Sequence, residues 1–196
     1  MNLPNKLTVS RLALTVAFLV AIFAHFPGHE SSALFFFSVA SITDYLDGKI
    51  ARDRGLITRF GILMDPLADK ILTCSAFIAF VGRGWVPAWM VVIIVARELA
   101  ITGLRLLAAS QQVVLAAERY GKHKTISQIV TIIAVLLSIS HDQWGILGQY
   151  LWGWPIAGKA WVVWLAEVSK WTTVLLTLIS GWVYLWRNRS LFLDDV

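Results

Sequence analysis

Long apolar runs, separated by short breaks rich in charge or glycine, are the dominant pattern of this sequence. Runs of this kind are typical of helices that cross a bilayer, because a spanning helix needs about 20 mostly apolar residues. A short amphipathic lead-in over residues 1–11, suited to the membrane surface, precedes them. The six predicted spans cover about 12–26, 32–52, 58–81, 87–109, 125–140 and 161–186. The pattern therefore predicts an all-α integral membrane protein, organised as a single polytopic domain over residues 1–196.

The breaks between the spans carry the usual turn residues. Pro27-Gly28 and Gly82-Arg83-Gly84 each predict a turn, and Gly55 ends the second span. Pro66 lies inside the third span and predicts a bend beside Asp65, since proline removes a backbone donor. The segment 141–159 is rich in tryptophan and glycine, and we expect it to hold an interfacial helix.

Composition supports a membrane protein over a soluble one, with 58% hydrophobic and 15% charged residues. A net charge of +5 could indicate nucleic acid in a soluble protein, but here it fits cytoplasmic loops and anionic lipid headgroups. We therefore expect membrane lipids, and no nucleic acid, as partners. The single cysteine, Cys74, excludes an intrachain disulfide.

The basic residues predict the orientation of the chain. An even number of spans places both termini on one side of the membrane. Of the 17 lysines and arginines, only Arg83 and Lys159 flank the opposite face, while Lys170 lies within the last span. Basic residues concentrate on the cytoplasmic side, so both termini are predicted to be cytoplasmic.

Four aspartates interrupt otherwise apolar segments. At about 100° per residue, Asp44 and Asp47 lie within roughly 60° on one helix face, and Asp65 and Asp69 share a face of the next helix. A charge at the bilayer centre costs about 2.5–3.5 kcal/mol, which indicates a functional site. Converging carboxylates repel one another and favour a hard divalent cation such as Mg²⁺ between them.

Two other interpretations of these aspartates are open. They could be solvated or salt-bridged residues near helix ends, with Arg52, Arg54, Arg59 or Lys70 as partners. They could instead serve a transporter coupled to divalent cations or protons. Transporters usually place such sites at the midplane between internal repeats, whereas this chain has no evident repeat and its acidic residues lie towards one face.

The spacing of these residues resembles a known signature. The run Asp44-x-x-Asp47-Gly48-x-x-Ala51-Arg52, eight further residues, then Gly61-x-x-x-Asp65-x-x-x-Asp69 is similar at every fixed position to that of the CDP-alcohol phosphotransferase family. The likeness extends over essentially the whole chain. Within the family the chain looks most like the bacterial phosphatidylglycerophosphate synthases, on Asn5, Thr8, Ala96-Arg97-Glu98, Arg105, Gly121-Lys122-His123-Lys124-Thr125 and Gln128.

The resemblance implies a reaction that moves the phosphatidyl group of CDP-diacylglycerol to an alcohol and releases CMP. It implies two divalent ions, Mg²⁺ or Mn²⁺, held by Asp44, Asp47, Asp65 and Asp69, with Asp69 also taking the proton of the alcohol. It further implies a homodimer in a bacterial cytoplasmic (inner) membrane, with its active site on the cytoplasmic side. The residues expected to bind CDP-diacylglycerol are Asn5, Thr8, Asp44, Gly48, Ala51, Arg52, Thr58 and Gly61.

Some of these residues have a second interpretation. Gly48 and Gly61 would let a nucleotide approach the helix backbone closely, but glycine also serves helix packing. Arg52 suits a diphosphate, since guanidinium binds phosphate through two hydrogen bonds, yet it could simply be a basic residue of the cytoplasmic side.

A second group of charges predicts the acceptor. Arg97, Arg105, Lys122 and Lys124 suit a phosphorylated alcohol such as glycerol 3-phosphate, whereas a neutral acceptor would not require them. Lys122 and Lys124 could instead belong to a solvated basic loop, and Arg97 could be paired with Glu98 or another carboxylate. Sibling reactions with phosphatidylglycerol, as in a cardiolipin synthase, or with an inositol phosphate are the enzyme alternatives.

Overall fold

Seven α-helices make up most of the computed structural model, which describes residues 3–54, 59–110 and 119–189. Within these ranges, side chains are described for 6–44, 64, 67–109 and 123–189. The helices are α1 Leu3–Phe23, α2 His29–Arg54, α3 Arg59–Gly82, α4 Ala88–Ser110, α5 Arg119–Ser140, α6 Gly145–Trp152 and α7 Trp161–Arg187.

The N-terminal segment differs from the expectation of a separate surface helix. Residues 3–11 continue into the apolar run without a break, so lead-in and first span form the single helix α1. Pro4 lies in the first turn, where a missing backbone N–H costs little, and no proline or glycine follows it within the helix. Thr8 and Arg11 are buried rather than presented to a surface.

Apolar side chains cover the outside of this bundle, and several polar side chains are buried within it. On α1 the polar side chains of Thr8, Arg11 and Thr15 are buried, while Val16 and Val20 are exposed. The same holds on other helices, where large apolar side chains cover the outer surface, among them Val92, Leu99, Leu106, Val168, Leu175, Trp182 and Trp186. A continuous apolar exterior of this kind fits contact with lipid rather than water.

The helices pack so that α5 lies against α2, α3 and α7, while α1 lies against α2 and α3. Helix α4 contacts α7 and α3. Aromatic side chains fill much of the interior, with the rings of Phe18 and Phe37 5.7 Å apart and those of Phe80 and Trp85 5.6 Å apart. This core lies towards one end of the bundle. The polar side chains of α1–α5 cluster at the other end.

The segment 141–159 holds the expected helix, together with two further elements. A 3₁₀ turn, His141–Trp144, leads into α6, and a two-stranded hairpin follows, with β1 Pro155–Ile156 antiparallel to β2 Lys159–Ala160. Ala157 and Gly158 both have positive φ angles, 47° and 81°, as a tight hairpin turn with the right twist requires. The rings of Trp152 and Trp161 stack at 5.3 Å across the base of this hairpin.

Three segments of the described chain are long and apolar enough to cross a membrane: Lys6–Phe23, His123–Trp152 and Trp161–Arg187. Helices α2, α3 and α4 are of similar length, but they contain Asp44, Asp69 and the pair Arg97-Glu98 among other charges. Charged side chains lower the hydropathy of a segment, so three of the helices that carry the candidate site fall short of this threshold.

A buried hydroxyl pair connects α5 to α7 and gives a test of this packing. Thr131 Oγ1 donates to the carbonyl of Ser169 at 2.9 Å and lies 2.8 Å from Thr173 Oγ1. We expect Thr131→Val to lower the free energy of unfolding by about 1 kcal/mol, because it removes these bonds and leaves Thr173 without that contact. Thermal unfolding in detergent measures the effect.

Thr172→Val is the matched control, since Thr172 is exposed and its hydroxyl bonds within its own helix turn. Equal losses in the two variants would contradict the prediction.

Candidate active site

Five helices bring charged side chains together at one end of the bundle. The early part of α1, the late part of α2, the early part of α3, the late part of α4 and the early part of α5 meet there, as expected of helices that alternate in direction. Contacts between Arg11 and Asp44, Lys70 and Thr102, and Lys124 and Glu98 establish this arrangement. The sequence prediction that these segments share one face of the membrane rests on the same alternation.

Asp44 forms an ion pair with an arginine of the first helix. Arg11 Nη1 lies 2.7 Å from Asp44 Oδ1, with the Arg11 side chain 1% exposed and that of Asp44 37% exposed. Arg11 was not among the partners expected from sequence, because it lies 33 residues away on another helix. The carboxylate is thus held on one side by α1 and is accessible on the other.

The negative charge of Asp44 acts electrostatically on Asp69. The positive charges of Lys124 and Arg11, and the negative charge of Glu98, also act on it. One aspartate from each predicted pair and a predicted acceptor-binding lysine thus interact electrostatically. The backbone carbonyl of Asp69 accepts a hydrogen bond from Thr73 Oγ1 at 3.1 Å within the same helix.

Glu98 is the centre of a second, adjoining group of charges. Its Oε1 accepts from Lys124 Nζ, lies 3.3 Å from Arg97 Nη1 and lies 3.5 Å from Gln128 Nε2. Glu98, Lys124 and Gln128 are all buried. The pairing of Arg97 with Glu98, one of the two interpretations open from sequence, is therefore present, and Lys124 shares the same carboxylate.

Lys70, one of the aspartate partners considered from sequence, contacts α4 instead among the described side chains and so connects α3 to this group. Its ammonium donates to Thr102 Oγ1, and Thr102 Oγ1 in turn donates to the backbone carbonyl of Glu98 at 2.7 Å. Lys70, the residue after Asp69, is thus linked through Thr102 to the turn of α4 that carries Glu98. These contacts fix α3 and α4 relative to each other at the site.

Helix α7 supports the arginines of α4. A Cβ at Gly181 would lie 3.0 Å from Arg97 Cγ, so the absence of a side chain there makes room for Arg97. Two turns further along α4, Arg105 Nε donates to Tyr184 Oη at 3.2 Å, and the guanidinium lies 5.7 Å from the centre of the Tyr184 ring. Arg105 therefore occupies a separate, more exposed position, about 12 Å along the helix from Arg97.

The remaining predicted site residues lie outside what the structure describes. Thr58 falls between the described ranges, while the others lie within helices but have no described side chain: Asn5, Asp47, Gly48, Ala51, Arg52, Gly61, Asp65 and Lys122. The predicted bend at Pro66 belongs to the same group. Thr8 is described, and it is fully buried on the face of α1 that also carries Arg11.

The described side chains of the site are of the kind that bind a divalent cation. Asp44 and Asp69 provide carboxylate oxygens, the ligand type that Mg²⁺ and Mn²⁺ prefer, from two helices and within range of each other's charge. No group of three or more His, Cys, Asp or Glu able to hold a metal occurs among the described side chains, which do not include Asp47 and Asp65.

Sequence reasoning missed Arg11, Gly181 and Tyr184, and it treated Glu98 mainly as a possible partner of Arg97. Arg11 carried a recognisable signal, since it is a charged residue on a predicted helix, three positions from Thr8 on the same face. Gly181 and Tyr184 carried none, because nothing local distinguishes a glycine that accommodates a distant arginine from one that serves ordinary packing.

The chain belongs to the CDP-alcohol phosphatidyltransferase family, whose model matches residues 1–190. It is therefore an enzyme of the phosphatidyltransferase class, and the transporter alternative is not supported.

Curated relatives match nearly the full length. A Bacillus subtilis protein named CDP-diacylglycerol–glycerol-3-phosphate 3-phosphatidyltransferase is 39% identical, with 95% of each chain covered. A Mycobacterium tuberculosis protein named probable phosphatidylglycerophosphate synthase is 38% identical over 95% of this chain and 81% of its own. A Rickettsia bellii protein with the same name as the Bacillus one is 31% identical over 97% of both chains.

The Arg11–Asp44 pair gives a test of the site's architecture. We expect Arg11→Met to lower the free energy of unfolding by about 1–3 kcal/mol, less than for a fully buried pair because Asp44 remains partly exposed. Thermal unfolding in detergent measures it. Lys6→Met, which removes an exposed cation from the same helix, is the control. A loss in Arg11→Met no larger than in Lys6→Met would show that the pair contributes nothing.

Proposed function

We propose that this protein transfers the phosphatidyl group of CDP-diacylglycerol to glycerol 3-phosphate, forming phosphatidylglycerophosphate and CMP. The observation that carries the proposal is the adjacency of two groups of charges. The charges of Asp44 and Lys124 both act on Asp69, and Lys124 shares Glu98 with Arg97. An acidic group suited to a cation-bound diphosphate thus adjoins a basic group suited to a phosphorylated acceptor. The names of relatives at 31–39% identity point to the same substrates.

Asp44, Asp47, Asp65 and Asp69 are the proposed ligands of Mg²⁺ or Mn²⁺, with two ions in the site. When bound, divalent ions stabilise the charge that develops on the attacking and leaving oxygens of a phosphoryl displacement. Arg11 holds Asp44 in place from α1, which limits the number of positions that this carboxylate can adopt. In this arrangement Arg11 acts through Asp44.

Asp69 is the proposed base. Its carboxylate accepts the proton of the acceptor hydroxyl as the hydroxyl oxygen attacks the phosphatidyl phosphorus. The bond from that phosphorus to the bridging oxygen of the diphosphate breaks, and CMP leaves with the electron pair. A carboxylate is normally too weak a base for a free alcohol, so the role requires an acceptor whose hydroxyl is acidified in the site.

The remaining roles follow the sequence interpretation. Gly48, Ala51 and Gly61 give the nucleotide close access to the helix backbones, and Arg52 binds the diphosphate. Asn5, Thr8, Asp44 and Thr58 complete the site for CDP-diacylglycerol. The cations assigned to the acceptor and its phosphate are Arg97, Arg105, Lys122 and Lys124, from α4 and α5.

The proposed setting is a bacterial cytoplasmic membrane. All six predicted spans cross it as one polytopic domain, with both termini and the site on the cytoplasmic side, where both substrates' charged groups are accessible. The chain acts as a homodimer among membrane lipids. The apolar outer surface and the three apolar helices support the membrane setting.

An acceptor screen tests the proposed function. Purified protein receives CDP-diacylglycerol, a divalent cation and one acceptor at a time, and CMP release is measured with glycerol 3-phosphate, phosphatidylglycerol, an inositol phosphate and serine. We expect release with glycerol 3-phosphate at a rate well above the others. Release only with phosphatidylglycerol or the inositol phosphate would assign the chain to a sibling reaction.

Replacing the proposed base gives a second test. We expect Asp69→Asn to lower the rate of CMP release by at least about 100-fold, because the amide accepts no proton, while the protein still folds. Thermal unfolding reports the fold and CMP release the activity. Asp142→Asn is the control, as Asp142 is highly exposed at the opposite end of the bundle. A near wild-type rate in Asp69→Asn would remove Asp69 from the role of base.

Single-cysteine labelling tests the orientation. In a Cys74→Ser background, Asp142→Cys is expected to react with a membrane-impermeant maleimide in intact cells, because this residue lies at the end of the bundle away from the site. His123→Cys, exposed near the start of α5, should react only after the membrane is opened. The reverse labelling pattern would show that the site faces outward.

A further inference from the structure

Glu98 has an unusual position for an acid in a site that must bind an anion. It lies between the two cations proposed to receive the acceptor phosphate, and a single oxygen, Oε1, contacts both Lys124 Nζ and Arg97 Nη1. Gln128 Nε2 approaches the same oxygen from the next turn of α5, at 3.5 Å. The side chains of Glu98 and Lys124 are only 8% and 6% exposed, so these contacts are sheltered from water.

The charges in this group do not cancel. Two cations and one carboxylate leave a net charge of +1, which is attractive to a phosphate. Without the carboxylate, two positive charges would lie side by side in a buried position, which is costly unless each is paired. A second carboxylate within the group would make it neutral and remove that attraction. One acid shared by two bases therefore holds both cations in place, and these three side chains keep a net charge of +1.

Both cations keep hydrogen-bonding capacity for a ligand. The Lys124 ammonium has three N–H donors, and the contact with Glu98 uses one of them. Arg97 contacts Glu98 through Nη1, and its Nε is a buried donor with no partner among the residues that the structure describes. Glu98 thus fixes the direction of each group without using all of its donors.

Glu98 is itself held by its surroundings. Its backbone carbonyl accepts from Thr102 Oγ1, which also accepts from Lys70 on α3, the residue after Asp69. On the other side, the space above Gly181 accommodates the aliphatic part of Arg97. The acid therefore has a defined place relative to the proposed base.

We propose that Glu98 is a positioning residue for the acceptor, orienting Lys124 and Arg97 towards its phosphate, so that selection of a phosphorylated alcohol depends on a buried acid. The proposal rests on the proposed function. It goes beyond it in assigning the geometry of the anion pocket to a group that does not itself touch the anion.

Kinetics of three variants test this role, namely Glu98→Gln, Lys124→Met and the double variant. For Glu98→Gln we expect the KM for glycerol 3-phosphate to rise about tenfold and the KM for CDP-diacylglycerol to stay within about twofold. That corresponds to about 1.4 kcal/mol in acceptor binding. In the Lys124→Met background the same change should have a clearly smaller effect, because Glu98 then has one cation less to orient. Inorganic phosphate, as a competitive inhibitor, should weaken in parallel.

Equal effects of Glu98→Gln in the two backgrounds would overturn the proposal, as would an equal rise in both KM values. Glu167→Gln is the matched control. Glu167 pairs with a buried lysine, Lys170, at 2.6 Å, but does so at the opposite end of the bundle, and its kinetics should match the wild type.

A charge swap covers the case in which Glu98→Gln does not fold. Glu98→Lys combined with Lys124→Glu retains an ion pair between α4 and α5 but moves the positive group away from α5. We expect this variant to fold and to lose acceptor affinity, while a wild-type KM for glycerol 3-phosphate would show that the pair is merely structural. Wild-type protein that does not use glycerol 3-phosphate would instead reject the proposed function, and this proposal with it.

Discussion

The cost of an unpaired charge away from water is the constraint on which this structure depends. Two charges of the site have a counterpart of opposite sign on another helix, as Arg11 has Asp44 and Lys124 has Glu98. These pairs join α1 to α2 and α4 to α5, and the Lys70–Thr102 bond joins α3 to α4. In an apolar setting such contacts specify which helices meet and at what height, since apolar packing alone is less selective.

The same constraint divides the charged cluster into an acidic part and a basic part. Among the described side chains, Asp44 and Asp69 outnumber Arg11 and favour a cation, whereas at Glu98 the two bases exceed the one acid. A reaction between a diphosphate and a phosphorylated alcohol brings two anions together, which repel one another in solution. An acidic subsite suited to divalent ions beside a basic subsite for the acceptor offsets that repulsion, and the short links between α3 and α4 keep the two subsites adjacent.

The opposite end of the bundle is held together by aromatic packing. There the interior is filled by Phe18, Phe37 and Phe80, and the hairpin at residues 155–160 is stabilised by stacked tryptophans. Rigid aromatic packing at that end, with polar contacts at the other, gives a bundle that is firmly held outside the site. The chemistry is therefore carried on helices rather than on mobile loops, which favours accurate placement of its charges.

The sequence by itself determined the helical class, the approximate bounds of α2, α3, α4 and α7, and the acidic signature that places the chain in its family. These follow from local quantities, namely apolar run length, turn residues and the spacing of Asp44, Asp47, Asp65 and Asp69. It did not show that the lead-in and first span form one helix, because apolar length sets a span but not where the helix starts. Only the tertiary structure decided that Arg11 pairs with Asp44, that Lys124 and Arg97 share Glu98, and that Gly181 makes room for Arg97. Those contacts join residues distant in the chain, and which helix faces which is settled by packing and pairing rather than by any local pattern.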